Sequence, residues 1–217
     1  MFILKESYQL ALFPTYINTF YFDNKPFFDS MLKNFVECKK NRKHGGIYYE
    51  FVDSYTIDNL HEIKEFEELT NFIKECFKAS LDRLDVDYTD VDIQSMWANI
   101  NGNKDGGFHD LHLHANSYLS CVLYVNIPGK SGNLLFEDPR ECKNMVVWDS
   151  KNSNESMEKY RSWELEPKQG MVVVFPSYLR HKVKRGAWED GEERIAISAN
   201  CFPVAKCTET SAAYTKR

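Results

Sequence analysis

His112 and His114 stand two residues apart in FHDLHLHANS, a segment that leads into a strand pattern. Side chains alternate between the two faces of a strand, so both imidazoles leave one face, about 6 to 7 Å apart at the backbone. Two imidazoles at that spacing can converge on one metal ion, and a third ligand must then come from a distant part of the chain. His181 is the best placed, in MVVVFPSYLRHKV, just after a strongly apolar strand and the Pro176-Ser177 turn. Two other ligand sets are open: Asp110 with His112, also two apart, or His109 in place of one of the pair. The plain alternative is that His112 and His114 are loop residues bonded to the backbone and His181 is a satisfied histidine at the core edge.

The surrounding elements must hold these residues. From Val91 onward the apolar period is two, and strands are expected over 91–100, 110–114, 118–127, 133–137, 144–148, 162–166, 171–175, 180–184 and 194–202, separated by Gly, Pro, Asn and Asp. So many short strands in some 110 residues indicate a barrel or jelly roll. The polar stretch 149–161 (DSKNSNESMEKYR) reads as a mobile flap. Upstream, Phe28, Met31, Leu32, Phe35 and Val36 recur at helical spacing, with Pro26 in the first turn. The clearest helix is expected over 60–84, where Leu60, Ile63, Phe66, Leu69, Phe72, Ile73, Cys76, Phe77, Leu81 and Leu84 trace one stripe and Asp58 or Asn59 can cap it.

Composition agrees with a compact chain. Its 217 residues are about 1.4 times a typical ~150-residue domain, which favours one domain with an extension. The hydrophobic fraction of 43% and aromatic fraction of 14% exclude a disordered chain. The longest apolar run, Met171 to Phe175, is far short of the roughly 18 residues of a membrane span. The opening MFILKESYQL has no basic segment ahead of an apolar one, so a cytoplasmic location is expected. Net charge is 27 − 32 = −5 with both signs interspersed, which disfavours nucleic acid as a partner. The six cysteines show no C-x-x-C pair, and reduced structural thiols are expected.

The order of pieces in the second half resembles the 2-oxoglutarate, Fe(II)-dependent oxygenases, in particular their prolyl-4-hydroxylase-like branch. The matching pieces are His112-Leu113-His114, Tyr124-Val125-Asn126, Gly132 to Phe136, Pro167 with Gly170 and the strand Met171 to Phe175, His181, and Arg194. The likeness extends to a group of oxygenases from bacteriophages and marine bacteria, through Trp97-Ala98-Asn99-Ile100, Phe136-Glu137-Asp138-Pro139-Arg140 and Phe175 to His181. It covers most of residues 90 to 203.

The resemblance implies a mainly β fold, a double-stranded β-helix (cupin-like jelly roll) braced by N-terminal α-helices: an extension over 1–90, a barrel over 91–203 and a tail over 204–217. It implies Fe(II) held by His112, His114 and His181, with three adjacent positions left for the oxo-acid end of 2-oxoglutarate and for O₂. It gives Arg194 the remote carboxylate of 2-oxoglutarate, as a guanidinium binds a carboxylate bidentately, with Ser198 and Tyr124 as further cosubstrate contacts. An ion pair of Arg194 with Glu192 or Glu193 is the competing reading. Three departures stand out: His114 where relatives carry Asp, Ala196 where many carry a hydroxyl, and Leu123 where many carry a cosubstrate-binding Tyr. The implied activity is hydroxylation with release of succinate and CO₂, on a peptide or protein side chain first and a small molecule or nucleobase second. A three-histidine cupin without 2-oxoglutarate and a catalytically silent interaction barrel are the rival classes.

Overall fold

The computed structural model describes residues 13–41, 47–49, 54–102, 107–140 and 161–205. Among them, eleven strands form two sheets. The larger has β1 (Asn18–Tyr21), β2 (Ile47–Tyr49), β3 (Ser54–Ile57), β4 (Asp90–Asn101), β6 (Leu119–Asn126), β9 (Met171–Pro176) and β11 (Arg194–Val204), in the order β1-β9-β6-β11-β4-β3-β2. The smaller has β5 (His109–His112), β7 (Leu134–Glu137), β8 (Ser162–Leu165) and β10 (His181–Val183), in the order β5-β10-β7-β8. All pairings are antiparallel. Two facing antiparallel sheets are the jelly roll that the strand spacing implies and the double-stranded β-helix that the resemblance implies.

The large sheet is buried on both faces, which is why β6 and β9 read as nearly continuous apolar runs. Leu123, Val125, Val172, Val174, Ile195 and Ile197 face a core shared with the helices, α1 (Lys25–Asn41) and α2 (Glu67–Arg83). Val122, Tyr124, Met171, Val173, Phe175 and Ala196 face the barrel interior, together with Leu134 and Phe136 of the small sheet. Leu123 therefore points away from the interior, and Tyr124 points into it.

The first 90 residues do more than brace the barrel. They add β1 to one edge of the large sheet, against β9, and β3 with β2 to the other, against β4. α1 starts at Lys25 because Asn24 caps it, its Oδ1 accepting the Phe27 N–H at 3.1 Å. The single helix expected over 60–84 is instead two 3₁₀ turns, Leu60–Glu62 and Lys64–Phe66, followed by α2. The interruption is at Ile63, which is extended (φ −97°, ψ 120°), and Asn59 takes a left-handed conformation with no side-chain cap. Leu60 and Phe66 are still fully buried, so the apolar stripe survives while the helical hydrogen bonds do not.

Gly170 holds the entrance to β9. Its φ of +79° suits glycine, and a Cβ there would come within 2.2 Å of the Phe22 carbonyl oxygen. Its N–H donates to Tyr124 O and its carbonyl accepts from Phe22 N, both at 2.8 Å, locking β1, β6 and β9 together. Most of the expected flap over 149–161, the strand expected over 144–148 and the end of the chain lie outside the described residues. Among the described residues no helix is long and apolar enough to cross a membrane. Cys38, Cys76, Cys121 and Cys201 are buried and form no disulfide among the described residues.

Candidate metal centre

β5 and β10 are neighbours in the small sheet, and their register sets His112 directly opposite His181. Their ring centroids are 4.3 Å apart. His114, just past the end of β5, is held by its N–H donating to the Ser177 carbonyl at 3.0 Å, and its ring lies 5.2 Å from that of His112 and 5.1 Å from that of His181. One ring nitrogen from each of the three lies within 4.8 Å of the others. Asp110 takes no part: its side chain is exposed, while its carbonyl accepts from His112 Nδ1 at 2.7 Å. His181 Nδ1 likewise donates to Leu179 O at 2.9 Å. With Nδ1 protonated and bonded to the backbone, Nε2 of each carries the free lone pair, the arrangement a metal-ligating imidazole needs.

Burial disfavours the charged forms of His114 and His181. It pushes His114 down to about 4, with His112 adding to the effect, and it pushes His181 down to about 4 against the opposing bond to Leu179. His109 is lowered to about 4 as well, by burial first and then by the positive charge of Arg194. In metal-free protein these groups bind fewer protons folded than unfolded between pH 4 and pH 6.5. Stability should therefore be complete above about pH 6.5 and fall as pH drops toward 4. Urea midpoints of chelator-treated protein measured across that range check the sign.

A hydrogen-bonded strut behind the histidines was not legible in the sequence. Ser177 Oγ and Ser120 Oγ are 2.8 Å apart, Ser120 Oγ donates to Asn200 Oδ1 at 2.8 Å, and Asn200 Nδ2 donates to Ser95 Oγ at 3.0 Å. The F-P-S piece flagged Ser177, but its partners come from strands 57 and 23 residues away on β6 and β11, a pairing that only the register supplies. Because Ser177 also carries the His114 backbone bond, Ser120→Ala should leave buried acceptors unpaired and loosen the site. We expect a loss of about 1–3 kcal/mol in urea unfolding, with weaker metal retention.

The cavity in front of the histidines spans roughly 460 Å³ out to its open mouth. It is lined by Trp97, Asn99, His109, Tyr124 and Ser198 beside the three histidines, and by Val122, Leu134, Phe175 and Val183. Trp97 packs on His114 at 5.6 Å, and Phe175 meets His181 edge-on at 4.7 Å. Trp97 is thus a wall of the cavity, and Asn99 is too, its Oδ1 accepting from Thr56 Oγ1 at 3.2 Å.

Arg194 lies deeper than the cavity lining. Its side chain is among the largest fully buried ones, and burial lowers its proton affinity. The alternative of a surface ion pair with Glu192 or Glu193 does not hold: the residue is 2% exposed and Nε has no hydrogen-bond partner among the described residues. Tyr124, whose ring centroid is 5.5 Å from the guanidinium carbon, also has a buried hydroxyl without a partner, and burial pushes it up to about 12. Ser198 does not join them. It pairs with Trp97 and Val122, four residues along β11 from Arg194, or roughly 13 Å at strand rise. Asn126 is occupied elsewhere, its Nδ2 donating to Glu193 O at 2.7 Å, and Arg140 forms a bidentate pair with Asp138.

The donor set fits a metal and an organic anion together: three convergent imidazoles at one end of the interior, and a buried cation lacking a counterion among the described residues at the other. Comparison with known proteins agrees. Residues 95–200 match the family model described as "Putative 2OG-Fe(II) oxygenase". No curated protein matches by sequence. Among solved structures, a Pseudomonas putida prolyl-4-hydroxylase is similar at TM-score 0.54 and 16% identity, over 87% of this chain and 93% of that one. HygX from Streptomyces hygroscopicus, solved with nickel, 2-oxoglutarate and hygromycin B, is similar at TM-score 0.58 and 12% identity, over 87% and 83%. A prolyl hydroxylase from Trichoplax adhaerens, in complex with a peptide fragment of the hypoxia inducible factor oxygen degradation domain, gives TM-score 0.58 and 11% identity, over 86% and 83%. Residues 95–200, which carry the histidine cluster, thus match the 2OG-Fe(II) oxygenase family model, and the fold is that of solved members of that family.

Proposed function

We infer that His112, His114 and His181 hold Fe(II), that Arg194 and Tyr124 receive the remote carboxylate of 2-oxoglutarate, and that the enzyme hydroxylates a peptide or protein side chain offered at the cavity mouth. The observation that carries this reading is the pairing of the converged histidines with a buried guanidinium that lacks a hydrogen-bond partner at Nε. Enzymes of this family depend on Fe(II), 2-oxoglutarate and O₂, which together supply the oxidation as 2-oxoglutarate leaves as succinate and CO₂.

The chain's own residues supply position and environment. The backbone carbonyls of Asp110 and Leu179 fix the tautomers of His112 and His181, and burial keeps His114 and His181 neutral and able to ligate at neutral pH. Three neutral imidazoles leave a site at +2, one charge more positive than a set containing a carboxylate, which favours anionic ligands. Phe175, Val122, Leu134 and Val183 keep water from the interior, so that the interaction of Arg194 with an anion is little screened. The prolyl hydroxylase neighbours support the peptide substrate, whereas HygX, solved with hygromycin B, supports a small-molecule one.

Anaerobic titration with Fe(II) and 2-oxoglutarate tests the reading. A metal-to-ligand charge-transfer band should appear only when both are present, and its absence would reject 2-oxoglutarate use in favour of a cupin-like or silent barrel. Proline-containing peptides incubated aerobically should then gain one oxygen atom by mass spectrometry.

A further inference from the structure

Asn101 Oδ1, His109 Nε2, Tyr124 OH and Arg194 Nε are four of the five buried side-chain atoms without a hydrogen-bond partner among the described residues. The topology gathers all four at one end of the barrel. Asn101 is the cross-strand partner of Arg194, and Tyr124 pairs with Ala196, the next inward position along β11. His109 comes from the opposite sheet and lines the same cavity as Tyr124, whose ring lies 5.5 Å from the Arg194 guanidinium carbon. Buried polar atoms are normally satisfied, and three of these four, on His109, Tyr124 and Arg194, can donate, so they mark a place where an anionic ligand completes the bonding.

His109 reaches that cavity through an irregularity. It lies three residues before His112, a spacing that puts the two on opposite faces of a regular strand. In β5 the register slips between the pairs His181 with His112 and Val183 with His109, so both rings enter the interior. The rings are 6.4 Å apart at their centroids, and His109 is not among the three whose nitrogens converge. It is therefore a pocket residue outside the metal set.

We propose that His109 is part of the cosubstrate clamp, its Nε2–H donating to the remote carboxylate of 2-oxoglutarate alongside Arg194 and Tyr124. This rests on the 2-oxoglutarate reading above. An ionised carboxylate offers about four acceptor sites. A guanidinium can fill two, and the Tyr124 hydroxyl a third. A further donor is needed, and it cannot come from position 196, which is Ala, or from Ser198, some 13 Å along the strand from Arg194. The imidazole of His109 supplies it from the facing sheet.

The test is 2-oxoglutarate affinity in Fe(II)-loaded protein without O₂, read from the charge-transfer band, for wild type, His109→Phe, His109→Gln and Arg194→Ala. 2-Oxovalerate, which has the same chain length but no remote carboxylate, is titrated in parallel. His109→Phe should weaken 2-oxoglutarate about tenfold or more, leave 2-oxovalerate and iron retention unchanged, and be largely rescued by His109→Gln, which restores a donor. Equal loss of both oxo-acids would make His109 a matter of shape and overturn the proposal. Loss of iron would place His109 among the ligands and overturn it as well. Wild-type affinity in His109→Phe with a large loss in Arg194→Ala would reject the role of His109 alone. No 2-oxoglutarate binding by the wild type would reject both the proposal and the reading beneath it.

Discussion

Arg194→Ala, in protein loaded with Fe(II) under anaerobic conditions, is expected to weaken 2-oxoglutarate binding roughly 10²- to 10³-fold while leaving iron bound. The magnitude follows from burial. Removing one partner of a buried charge pair costs about 3–5 kcal/mol, and each 1.4 kcal/mol is a factor of ten. Arg194 is 2% exposed, so neither solvent nor salt is available to replace it. Lysine should recover only part of the affinity, because it lacks the bidentate fork. A second measurement separates a ligand anchor from a structural arginine. Without cosubstrate, Nε has no hydrogen-bond partner among the described residues and desolvation opposes the charge. Arg194→Met should then leave the cosubstrate-free protein as stable as wild type or more so, by urea denaturation, since replacing a buried ionic group with an apolar one of similar volume is often neutral or stabilising. A variant that loses 2-oxoglutarate without losing stability has lost a binding group. One that unfolds has lost a structural group, and the anchor assignment would fall with it.

The residues that were legible in the sequence are those whose meaning lies in local spacing. His112-x-His114 lies within one turn of chain, and the strand pattern of β4, β6, β9 and β11 is a period-two signal, long and apolar enough to read. What was hidden depends on register between distant segments. Ser198 shares its inward face with Arg194 but not its depth, and only the pairing with Trp97 and Val122 shows this. Asp110 was an alternative by spacing, and its solvent-facing side chain stands apart from the three histidines that converge. The Leu123 departure loses its weight once Leu123 is seen in the helix-facing core. The break at Ile63 has the same origin. The apolar stripe runs through it because packing against the sheet needs the buried side chains of Leu60 and Phe66, not an unbroken helix.

His181→Ala should abolish stoichiometric Fe(II) binding, measured by metal analysis after desalting, and with it the charge-transfer band on addition of 2-oxoglutarate. Of the three histidines, His181 is the most buried, at 4% exposed, and it contacts both of the others as well as Phe175. Its loss removes a ligand whose tautomer and direction are fixed by Leu179 O, and it leaves two imidazoles on a partly exposed strand end. Changes to the groups that merely orient a metal ligand typically cost 10- to 100-fold in affinity, so removal of the ligand itself should exceed that range. His114→Asp is the informative contrast. It lowers the site charge by one but keeps three donors, so iron should remain, and 2-oxoglutarate should bind more weakly because the centre is less positive. Full iron retention by His181→Ala would show that the converged histidines are not the metal set. The Arg194 variant should keep iron and lose 2-oxoglutarate, whereas the His181 variant should lose both, because the oxo-acid end of the cosubstrate has nothing to ligate without the metal. That asymmetry is a property of one site with two ends, and two independent sites would not produce it.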